Sequence, residues 1–523
     1  MVNSGQNNVA LHDKSVEQLT KKTAKGGGIL FIGGVIGKGI NFLLQILLGR
    51  VLGTATYGLY ALGHTIISIV QTISVLGLHE ATVRFVALYK GEGNKARVKG
   101  TLILSLTISL ISSIFISILL FILAKFISVH AFNKPNLAGV LRIFSISLPF
   151  YVLMIMTSSV ARAFHLMQYN TGLRNIFFPI ANILFVGLAF LLGYRLNGAL
   201  IGFLISGILS TLLGLYFLWR IFPEIISPLK PLYRSRQLIR FSLPILFVSM
   251  AVSFLFGIDR LMLGWLGNSS DVGIYNAAVL TSMQIGIFIK AIGTSFSPII
   301  SDLYNKKKKK QLNQIFKATT RWGFILSLPL FLIILFFSTN IMELFGSDFS
   351  NGRLVLIVLA TANLIISVRG PTAPMLTMSG KQDIELLNTI GLMGINIILN
   401  FLLIKRYGII GAALASGVSL SVLSIVRLLE IRILLGIQPY DRRYFKSLLA
   451  GAIIILIYIF IPESSKSGFV WIAYASFLLL IYALLVYTLG LDKEDKLIIR
   501  YILNIAIRSQ FNHEKDTDEQ KNK

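Results

Sequence analysis

Residues 101–123 read TLILSLTISLISSIFISILLFIL, an apolar stretch without a single charged side chain. A helix needs about 20 apolar residues to cross the roughly 30 Å hydrocarbon core of a bilayer, so this stretch predicts a membrane-spanning helix. Similar stretches recur along the chain between short polar loops, which predicts an all-α polytopic membrane protein. The fourteen predicted transmembrane helices cover residues 26–49, 58–79, 101–123, 137–160, 173–193, 197–219, 239–260, 273–300, 322–345, 353–378, 384–406, 409–433, 444–462 and 468–490.

The composition excludes most other classes of protein. Of the 523 residues, 55% are hydrophobic and 14% are charged, whereas soluble proteins carry about 25% charged residues. The chain has no cysteine, which excludes a disulfide-built domain, a cysteine nucleophile and a cysteine-ligated zinc site. Its six histidines lack the spacing of zinc hydrolases. We therefore predict no catalytic residue, no metal site and no cofactor.

The distribution of basic residues predicts the orientation of the chain in the membrane. The formal net charge is +27, and most of the 49 Lys and Arg residues fall in alternate loops. Because cytoplasmic loops are enriched in Lys and Arg, we predict a cytoplasmic-membrane protein with both termini in the cytoplasm. The run Lys306–Lys310 is interpreted as a solvated loop near anionic lipid headgroups. We expect no nucleic-acid partner.

A short motif occurs twice in the chain. Leu52-Gly53 … Gly58-Leu59-Tyr60 recurs as Leu266-Gly267 … Gly273-Ile274-Tyr275, and Asn182-Ile183 recurs as Asn396-Ile397. A repeat with an even number of spans keeps its orientation, so we predict two pseudo-symmetric six-helix bundles that rock about a shared site. The predicted segments are a cytoplasmic tail (1–25), a first repeat (26–220), a cytoplasmic linker (221–238), a second repeat (239–433), an extra helix pair (444–490) and an amphipathic cytoplasmic tail (491–523).

Basic residues inside the predicted spans are candidates for a substrate site. A charge at the centre of a membrane helix costs about 2.5–3.5 kcal/mol on insertion scales, so it needs a cavity, a partner or a function. Lys38, Lys290 and Arg369 lie inside spans, whereas the acids, Asp259 among them, are expected at span ends. We predict a water-filled cavity that is lined by cations, contains no acid and receives an anion. The alternative is that the lysines extend to lipid headgroups.

Two spans carry further signals. Lys38, Asn41 and Gln45 stand at i, i+3 and i+7, which is one face of a helix, and this face is predicted to line the cavity. In span 10, Pro371 and Pro374 interrupt the helical hydrogen bonding. Irregular backbone at membrane depth belongs beside protein or a water-filled cavity, so we predict a helix break that takes part in gating. A simple packing kink is the alternative.

Arginines near the outer ends of spans form a second group of candidates. They predict a basic outer mouth that binds the substrate, or else contacts with lipid phosphates. Arg260 also continues a polar stripe that either lines a cavity or bonds neighbouring helices. The aromatic and methionine side chains are assigned to packing and lipid contact. The mouth is formed by Arg50, Arg142, Arg195 and Arg260, and the stripe by Ser242, Ser249, Ser253 and Arg260.

Several motifs follow one another in an order that is typical of one family. They are Gly49-Arg50-Val51-Leu52-Gly53 … Tyr57-Gly58-Leu59-Tyr60, then Asp259-Arg260-Leu261-Met262-Leu263-Gly264 … Val272-Gly273-Ile274-Tyr275, then Gly380-Lys381-Gln382-Asp383. Over about residues 20 to 435 the chain resembles the polysaccharide-transport branch of the multidrug/oligosaccharidyl-lipid/polysaccharide (MOP) flippase superfamily. The resemblance implies a MATE-like fold. Lys38 and Arg50 occupy span-1 positions where members of this branch often carry basic residues.

The resemblance also implies a function. It implies a flippase that moves polyprenyl- or dolichyl-diphosphate-linked oligosaccharide across the cytoplasmic membrane by alternating access, for surface polysaccharide or glycan biosynthesis. The implied partners are this substrate, membrane lipids, and a glycan polymerase or glycosyltransferases. The main alternative is a cation-coupled multidrug exporter of the same superfamily; such exporters commonly use buried acids, which the sequence is predicted to lack. A membrane enzyme and a non-transport scaffold are further alternatives.

Overall fold

The computed structural model describes residues 33–441, 444–460 and 470–488, together with the helical backbone of residues 3–32. Within these ranges the chain is helical and contains no β-strand, which confirms the all-α prediction. The predicted cytoplasmic tails, 1–25 and 491–523, lie outside the residues whose side chains are described.

The helices are numbered along the chain. The region of the predicted first repeat is covered by α1 (Asn3–Val75), α2 (Leu78–Gly91), α3 (Lys95–Phe126), α4 (Leu137–Ala163), α5 (Met167–Thr171), α6 (Phe178–Leu191) and α7 (Leu196–Ile221). The region of the predicted second repeat is covered by α8 (Ser235–Leu266), α9 (Ser269–Ser282), α10 (Ile287–Asn305), α11 (Lys309–Phe336), α12 (Ser338–Glu343), α13 (Arg353–Arg369), α14 (Thr372–Met378) and α15 (Gln382–Leu434). The chain continues with α16 (Tyr444–Ile459) and α17 (Val470–Thr488).

The helices have the length and hydropathy of a multi-pass membrane protein. In the described ranges, ten helical segments are long and apolar enough to cross a bilayer, or eleven if α9 and α10, bent by 51°, form one span. Helices α1 and α15 are long enough for two crossings each. Each is broken at a glycine with positive φ, Gly53 (φ 71°) and Gly408 (φ 55°). The count of fourteen spans stays a prediction.

Corresponding helices occupy central places in the two repeats. Helix α4 packs against α1, α3 and α7, and α13 packs against α9, α11 and α15. Both are apolar around most of their circumference, which suits a helix that is surrounded by others. Helix α1 joins the two repeats, because it also packs against α8 and α9. The division into two six-helix bundles stays a prediction.

The repeats meet most closely where the two copies of the motif cross. A methyl group on Gly58 would lie 1.7 Å from the Ser269 carbonyl oxygen, and one on Gly273 would lie 2.2 Å from the Thr54 carbonyl oxygen. Helices α1 and α9 therefore touch backbone to backbone, which glycine permits because it has no side chain. The motif that repeats in the sequence thus forms the contact between the two repeats.

This contact closes one end of the molecule, which we call the short-loop end. The Lys134 ammonium, just before α4, donates to the carbonyl oxygens of Gly264 (2.5 Å) and Gly267 (2.8 Å) at the end of α8. Partial burial lowers the pKa of Lys134, and nearby Asp271 opposes that shift. The Arg50 Nε donates to the Leu344 carbonyl oxygen at 2.8 Å.

The opposite end carries the most basic loops, including Lys306–Lys310, and we call it the basic end. Here the linker before α8 is attached to α3. The Lys99 Nζ donates to the Ser227 carbonyl oxygen at 2.6 Å, and the Leu232 amide donates to the Ala96 carbonyl oxygen at 3.0 Å. The start of α8 therefore stays with the first repeat at this end.

Candidate functional site

A cavity of about 1200 Å³ lies among helices α8, α9, α10, α13, α14 and α15, all from the second repeat. It extends from Asp259, toward the short-loop end, to Ser301, near the basic end. We call it the large cavity. Its charged lining residues are one acid and four bases: Asp259, Arg260, Lys290, Arg369 and Arg427.

The break between α13 and α14 places Arg369 at the large cavity. Helix α13 ends at Arg369, Gly370 has φ 76°, and α14 begins at Thr372. Gly370 lies against the Thr320 side chain, where an added methyl group would come within 1.9 Å of the hydroxyl oxygen. Arg369 is only 8% exposed, and its Nη1 donates to the Thr372 hydroxyl. Its Nε is buried without a hydrogen-bond partner.

The two prolines of this break also line the large cavity. Pro371 and Pro374 face α10, and a methyl group on Gly293 would contact the Pro374 ring at 3.3 Å and Pro371 at 3.5 Å. The short segment α14 is therefore held against α10 and α15 instead of continuing α13. The gating role of the prolines stays a prediction.

One acid near Arg369 is already committed to another arginine. The Glu385 carboxylate accepts from Arg427 Nε at 2.9 Å and from Arg427 Nη2, and both side chains are largely buried. Arg369 lies within electrostatic reach of this pair. The pair neutralises itself, so it does not cancel the charge of Arg369 in the large cavity.

The expectation of a cavity without acids is wrong at Asp259. The predicted span ended at residue 260, but α8 continues to Leu266, so Asp259 lies inside the helix. Its carboxylate accepts from the Tyr275 hydroxyl at 2.9 Å, the Asn400 amide at 2.7 Å and the Ser416 hydroxyl at 2.6 Å. Asn396 adds a further hydrogen bond to Ser416. This network ties α8 to α9 and to both arms of α15.

The Asp259 network has the chemistry of a cation or proton site. Carboxylate, amide and hydroxyl oxygens are the ligands that hard cations prefer, and a carboxylate can also take up a proton. Among the described residues, no group of three or more His, Cys, Asp or Glu side chains could hold a metal ion together.

A second cavity of about 330 Å³ lies between the repeats. Its walls come from α1, α8 and α9, and we call it the inter-repeat chamber. Arg260 and Phe256 line both cavities. The Lys290 ammonium lies 5.7 Å from the centroid of the Phe256 ring, so it stands beside the junction. The chamber is lined by Gln45, Tyr60, Ala61, His64, Thr65, Ser68, Val252, Ser253, Phe256, Gly257, Arg260, Asn276 and Leu280.

Arg260 lies at this junction and has unused hydrogen-bonding capacity. Its Nη1 donates to the Phe256 carbonyl oxygen of its own helix at 3.1 Å. Its Nε is buried without a partner. A guanidinium carries five N–H donors in a planar fork that matches carboxylate and phosphate oxygens. Arg260 can therefore bind an anion that reaches either cavity.

The structure brings six of the predicted site residues to the two cavities and leaves four apart. Lys38 and Asn41 are exposed on α1 and line neither cavity, although Lys38 is electrostatically close to Lys290. Arg50 is bound to Leu344 at the short-loop end. Arg142 is exposed on α4, with its guanidinium 5.6 Å from the Phe121 ring centroid. The six at the cavities are Gln45, Arg260, Lys290, Arg369, Pro371 and Pro374.

Sequence reasoning missed the chamber residues of α1 other than Gln45. Tyr60, as an aromatic residue, was assigned to packing and lipid contact, and His64 was given no role, yet both line the inter-repeat chamber. Their rings lie 6.2 Å apart, and the edges of Phe144 and Phe203 pack on His64. The spacing of Tyr60, His64 and Ser68, each four residues from the next, is the signal that marks this helix face.

Comparison with known families gives two matches that together cover most of the helical chain. Residues 23–304, more than half of the sequence, match the family model described as polysaccharide biosynthesis protein. Residues 244–402 match the model of the MatE family. A probable low-salt glycan biosynthesis flippase, Agl15 of Haloferax volcanii, is 27% identical over 398 residues, covering 75% of this chain and 80% of that protein.

Solved structures show the same fold at low sequence identity. The lipid II flippase MurJ, in an inward closed conformation, superposes with a TM-score of 0.68 at 15% identity and covers 88% of this chain and 98% of its own. An inward-facing multidrug resistance MATE family transporter of the MOP superfamily superposes with a TM-score of 0.65 at 17% identity, covering 76% and 94%. The predicted MATE-like fold is confirmed.

Proposed function

The chain belongs to the polysaccharide biosynthesis protein family, within the MOP flippase superfamily, and on that premise we propose that it flips a lipid-linked oligosaccharide by alternating access. The substrate is a glycan that is joined through a diphosphate to a polyprenyl or dolichyl lipid. The protein acts as a transporter and makes or breaks no covalent bond in this step.

One observation carries the proposal: basic side chains outnumber acidic ones in the large cavity, and its one acid among the described residues, Asp259, offsets at most one of them. Arg427 is paired with Glu385, and the Asp259 oxygens are occupied by three neutral donors. Lys290, Arg260 and Arg369 form no salt bridge within the described residues, although all three face the cavity. Cations that are left unpaired at membrane depth require an anion or water.

A diphosphate fits this environment physically. Charge-assisted hydrogen bonds from arginine and lysine to phosphate oxygens are among the strongest that proteins make, and they strengthen where water is excluded. The lipid tail can remain in the bilayer, because an apolar chain in the hydrocarbon core carries no desolvation cost. The glycan, whose hydroxyl groups cannot cross hydrocarbon unaided, needs the polar path that the two cavities offer.

The membrane setting follows from the loop charges. We assign the basic end to the cytoplasm, because Lys and Arg accumulate in cytoplasmic loops. Both termini are then cytoplasmic and the short-loop end faces outward, in the cytoplasmic membrane. With the short-loop end closed by Lys134 and the crossing glycines, substrate would enter from the cytoplasmic side. Glycosyltransferases that build the glycan and a glycan polymerase are the proposed partners.

A cation-coupled multidrug exporter is the second candidate, and Asp259 is the observation that favours it. The argument against an exporter from the lack of buried acids no longer holds, because Asp259 lines the large cavity. However, an organic cation would have to approach Arg260, Lys290 and Arg369, which repel it. We expect that expression in a drug-sensitive host raises no resistance to cationic dyes; a clear increase in resistance would favour the exporter.

The proposal is tested with purified protein in lipid vesicles that contain a polyprenyl-diphosphate oligosaccharide. Lys290→Gln and Arg369→Gln should each lower the initial translocation rate at least tenfold, because each removes a charged hydrogen-bond donor worth about 1.5–3 kcal/mol. Lys125→Gln is the matched control, since Lys125 is exposed near the end of α3 and should retain the wild-type rate. Wild-type rates in both cavity variants would overturn the proposal.

A further inference from the structure

We propose that the inter-repeat chamber is a carbohydrate subsite, which holds the sugar residue joined directly to the diphosphate. The proposal rests on the proposed function and assigns a role to the polar residues of α1 that line this chamber. It also assigns a different part of the substrate to each cavity: the large cavity holds the diphosphate, and the inter-repeat chamber holds the first sugar.

The position of the chamber supports this division. Arg260 and Phe256 line both cavities, and the Lys290 ammonium lies 5.7 Å from the Phe256 ring centroid. A diphosphate that is bound by Lys290 and Arg260 would therefore stand at the junction. The group attached to it on one side can extend into the inter-repeat chamber, while the lipid on the other side extends through the large cavity toward the bilayer.

Two hydroxyl groups of the chamber are prepared to accept hydrogen bonds from a sugar. Thr65 donates its proton to the Ala61 carbonyl oxygen at 2.8 Å, and Ser68 donates its proton to the His64 carbonyl oxygen at 2.7 Å. A hydroxyl has one proton and two lone pairs, so each oxygen can still accept. Sugar hydroxyl groups are the natural donors to such oxygens.

Two further side chains are prepared to donate. The Gln45 amide oxygen accepts from the Tyr57 hydroxyl at 2.8 Å, and the Asn276 amide donates to that same hydroxyl. This chain of bonds fixes the orientation of Gln45 and leaves its amide N–H groups without a partner within the described residues. The His64 ring is packed by aromatic side chains, and its nitrogens make no hydrogen bond to any other residue that the structure describes.

The remaining surface of the chamber is apolar and aromatic. The Tyr60 and Phe256 rings supply faces against which the C–H groups of a pyranose can pack. The volume of about 330 Å³ lies at the lower end of the ~300–1,000 Å³ range of small-molecule sites. A few oriented polar groups in an aromatic pocket of this size suit one sugar ring and exclude a whole oligosaccharide.

The chamber walls come from both repeats, which links sugar binding to the transport cycle. Residues 45–68 belong to the first repeat and residues 252–280 to the second. A movement of one repeat against the other separates the two walls and dismantles the subsite. The sugar is therefore held in the state in which the short-loop end is closed, and it is released when the repeats rock apart.

The test compares two ligands on the full chain in nanodiscs: a polyprenyl diphosphate, and the same lipid diphosphate carrying one hexose. The wild type should bind the glycosylated lipid about tenfold more tightly, which corresponds to one or two hydrogen bonds. His64→Phe keeps the ring packing and Gln45→Met keeps the volume, but both remove donors. In each variant the sugar-dependent gain should fall to about twofold or less, with affinity for the unglycosylated lipid unchanged.

Gln284→Met is the matched control, because Gln284 lies in the turn after α9, its side-chain amide donates to the Leu280 carbonyl oxygen, it lines neither cavity, and the variant should keep the full gain. A persistent tenfold gain in both chamber variants, or no gain in the wild type, would overturn the subsite. If neither lipid binds to the wild type, the proposed function fails instead. A cooperative thermal unfolding transition well above the assay temperature in each variant establishes that the comparison concerns folded protein.

Discussion

The two copies of the repeated motif are alike where they touch each other and different where they face the cavities. Gly58 and Gly273 make the same backbone contact from opposite sides. Counted back from the Leu-Gly pair of each copy, however, Gln45 in the first repeat corresponds to Asp259 in the second. Gln45 accepts one hydrogen bond from Tyr57, whereas Asp259 accepts three.

This difference shows how two copies of one sequence motif can line an asymmetric site. The glycines must stay small in both copies, because the crossing of α1 and α9 holds the repeats together. The polar position is free to diverge, because it faces a cavity in each copy. The first repeat contributes a neutral, hydrogen-bonding wall to the inter-repeat chamber, and the second contributes the charged walls of the large cavity.

The symmetric part of the comparison predicts the largest effect. Gly58→Ala and Gly273→Ala should each lower the stability by about 3 kcal/mol, because an added methyl group would overlap a backbone oxygen that cannot move alone. The thermal midpoint of the detergent-solubilised protein measures this loss. Gly391→Ala on α15, where a methyl group meets no atom within 4 Å, should be neutral or slightly stabilising. If the two variants differ in stability by as much as either loss, the two glycines do not make equivalent contacts.

The asymmetric part predicts a smaller, unequal pair of effects. Asp259→Ala leaves Tyr275, Asn400 and Ser416 without their acceptor and should cost about 2–3 kcal/mol. Gln45→Ala removes the acceptor of one hydroxyl and should cost about 1 kcal/mol. Urea or thermal unfolding in the same detergent compares the two variants directly. Equal losses of stability would mean that Gln45 and Asp259 contribute equally to the folded state.

The closure of the short-loop end predicts the smallest effect. Lys134→Met removes the donor to two carbonyl oxygens at the end of α8 and should cost about 1 kcal/mol, since the site is half-buried. It should also increase labelling of a cysteine placed in the inter-repeat chamber, because the end opens more often. Lys125→Met serves as the control. Unchanged labelling would mean that Lys134 does not hold the closure.

Much of the fold was predictable because bilayer thickness imposes a long apolar period on the sequence. The helical class and the position of the repeated motif follow from that period alone. The end of α8 was predicted too early, because the charged pair Asp259-Arg260 was taken as the end of the span, whereas the apolar residues 261–266 continue the helix to Leu266. The kinks at Gly53 and Gly408, by contrast, fall in the predicted gaps between spans, at residues 50–57 and 407–408.

The candidate site was predictable only in part, because a helix face can be read from sequence while its neighbour cannot. Lys290 and Arg369 were predicted to line a cavity, and both line the large cavity, while their role in substrate binding stays a prediction. Lys38 and Asn41 share a helix face with Gln45, yet only Gln45 reaches the inter-repeat chamber, and Lys38 instead lies within electrostatic reach of Lys290. Arg142 lies over the Phe121 ring of α3, a neighbouring helix that the sequence pattern of α4 does not reveal.

The central claim is that unpaired cations in the cavities recognise an anionic headgroup. The most direct measurement compares translocation of two lipids by the wild-type protein in vesicles: one glycan linked to polyprenol through a diphosphate, and the same glycan linked through an uncharged ether. We predict that the diphosphate-linked glycan is moved at least tenfold faster, in keeping with charged hydrogen bonds of about 1.5–3 kcal/mol. Equal rates for the two lipids, or faster movement of the uncharged one, would contradict the account.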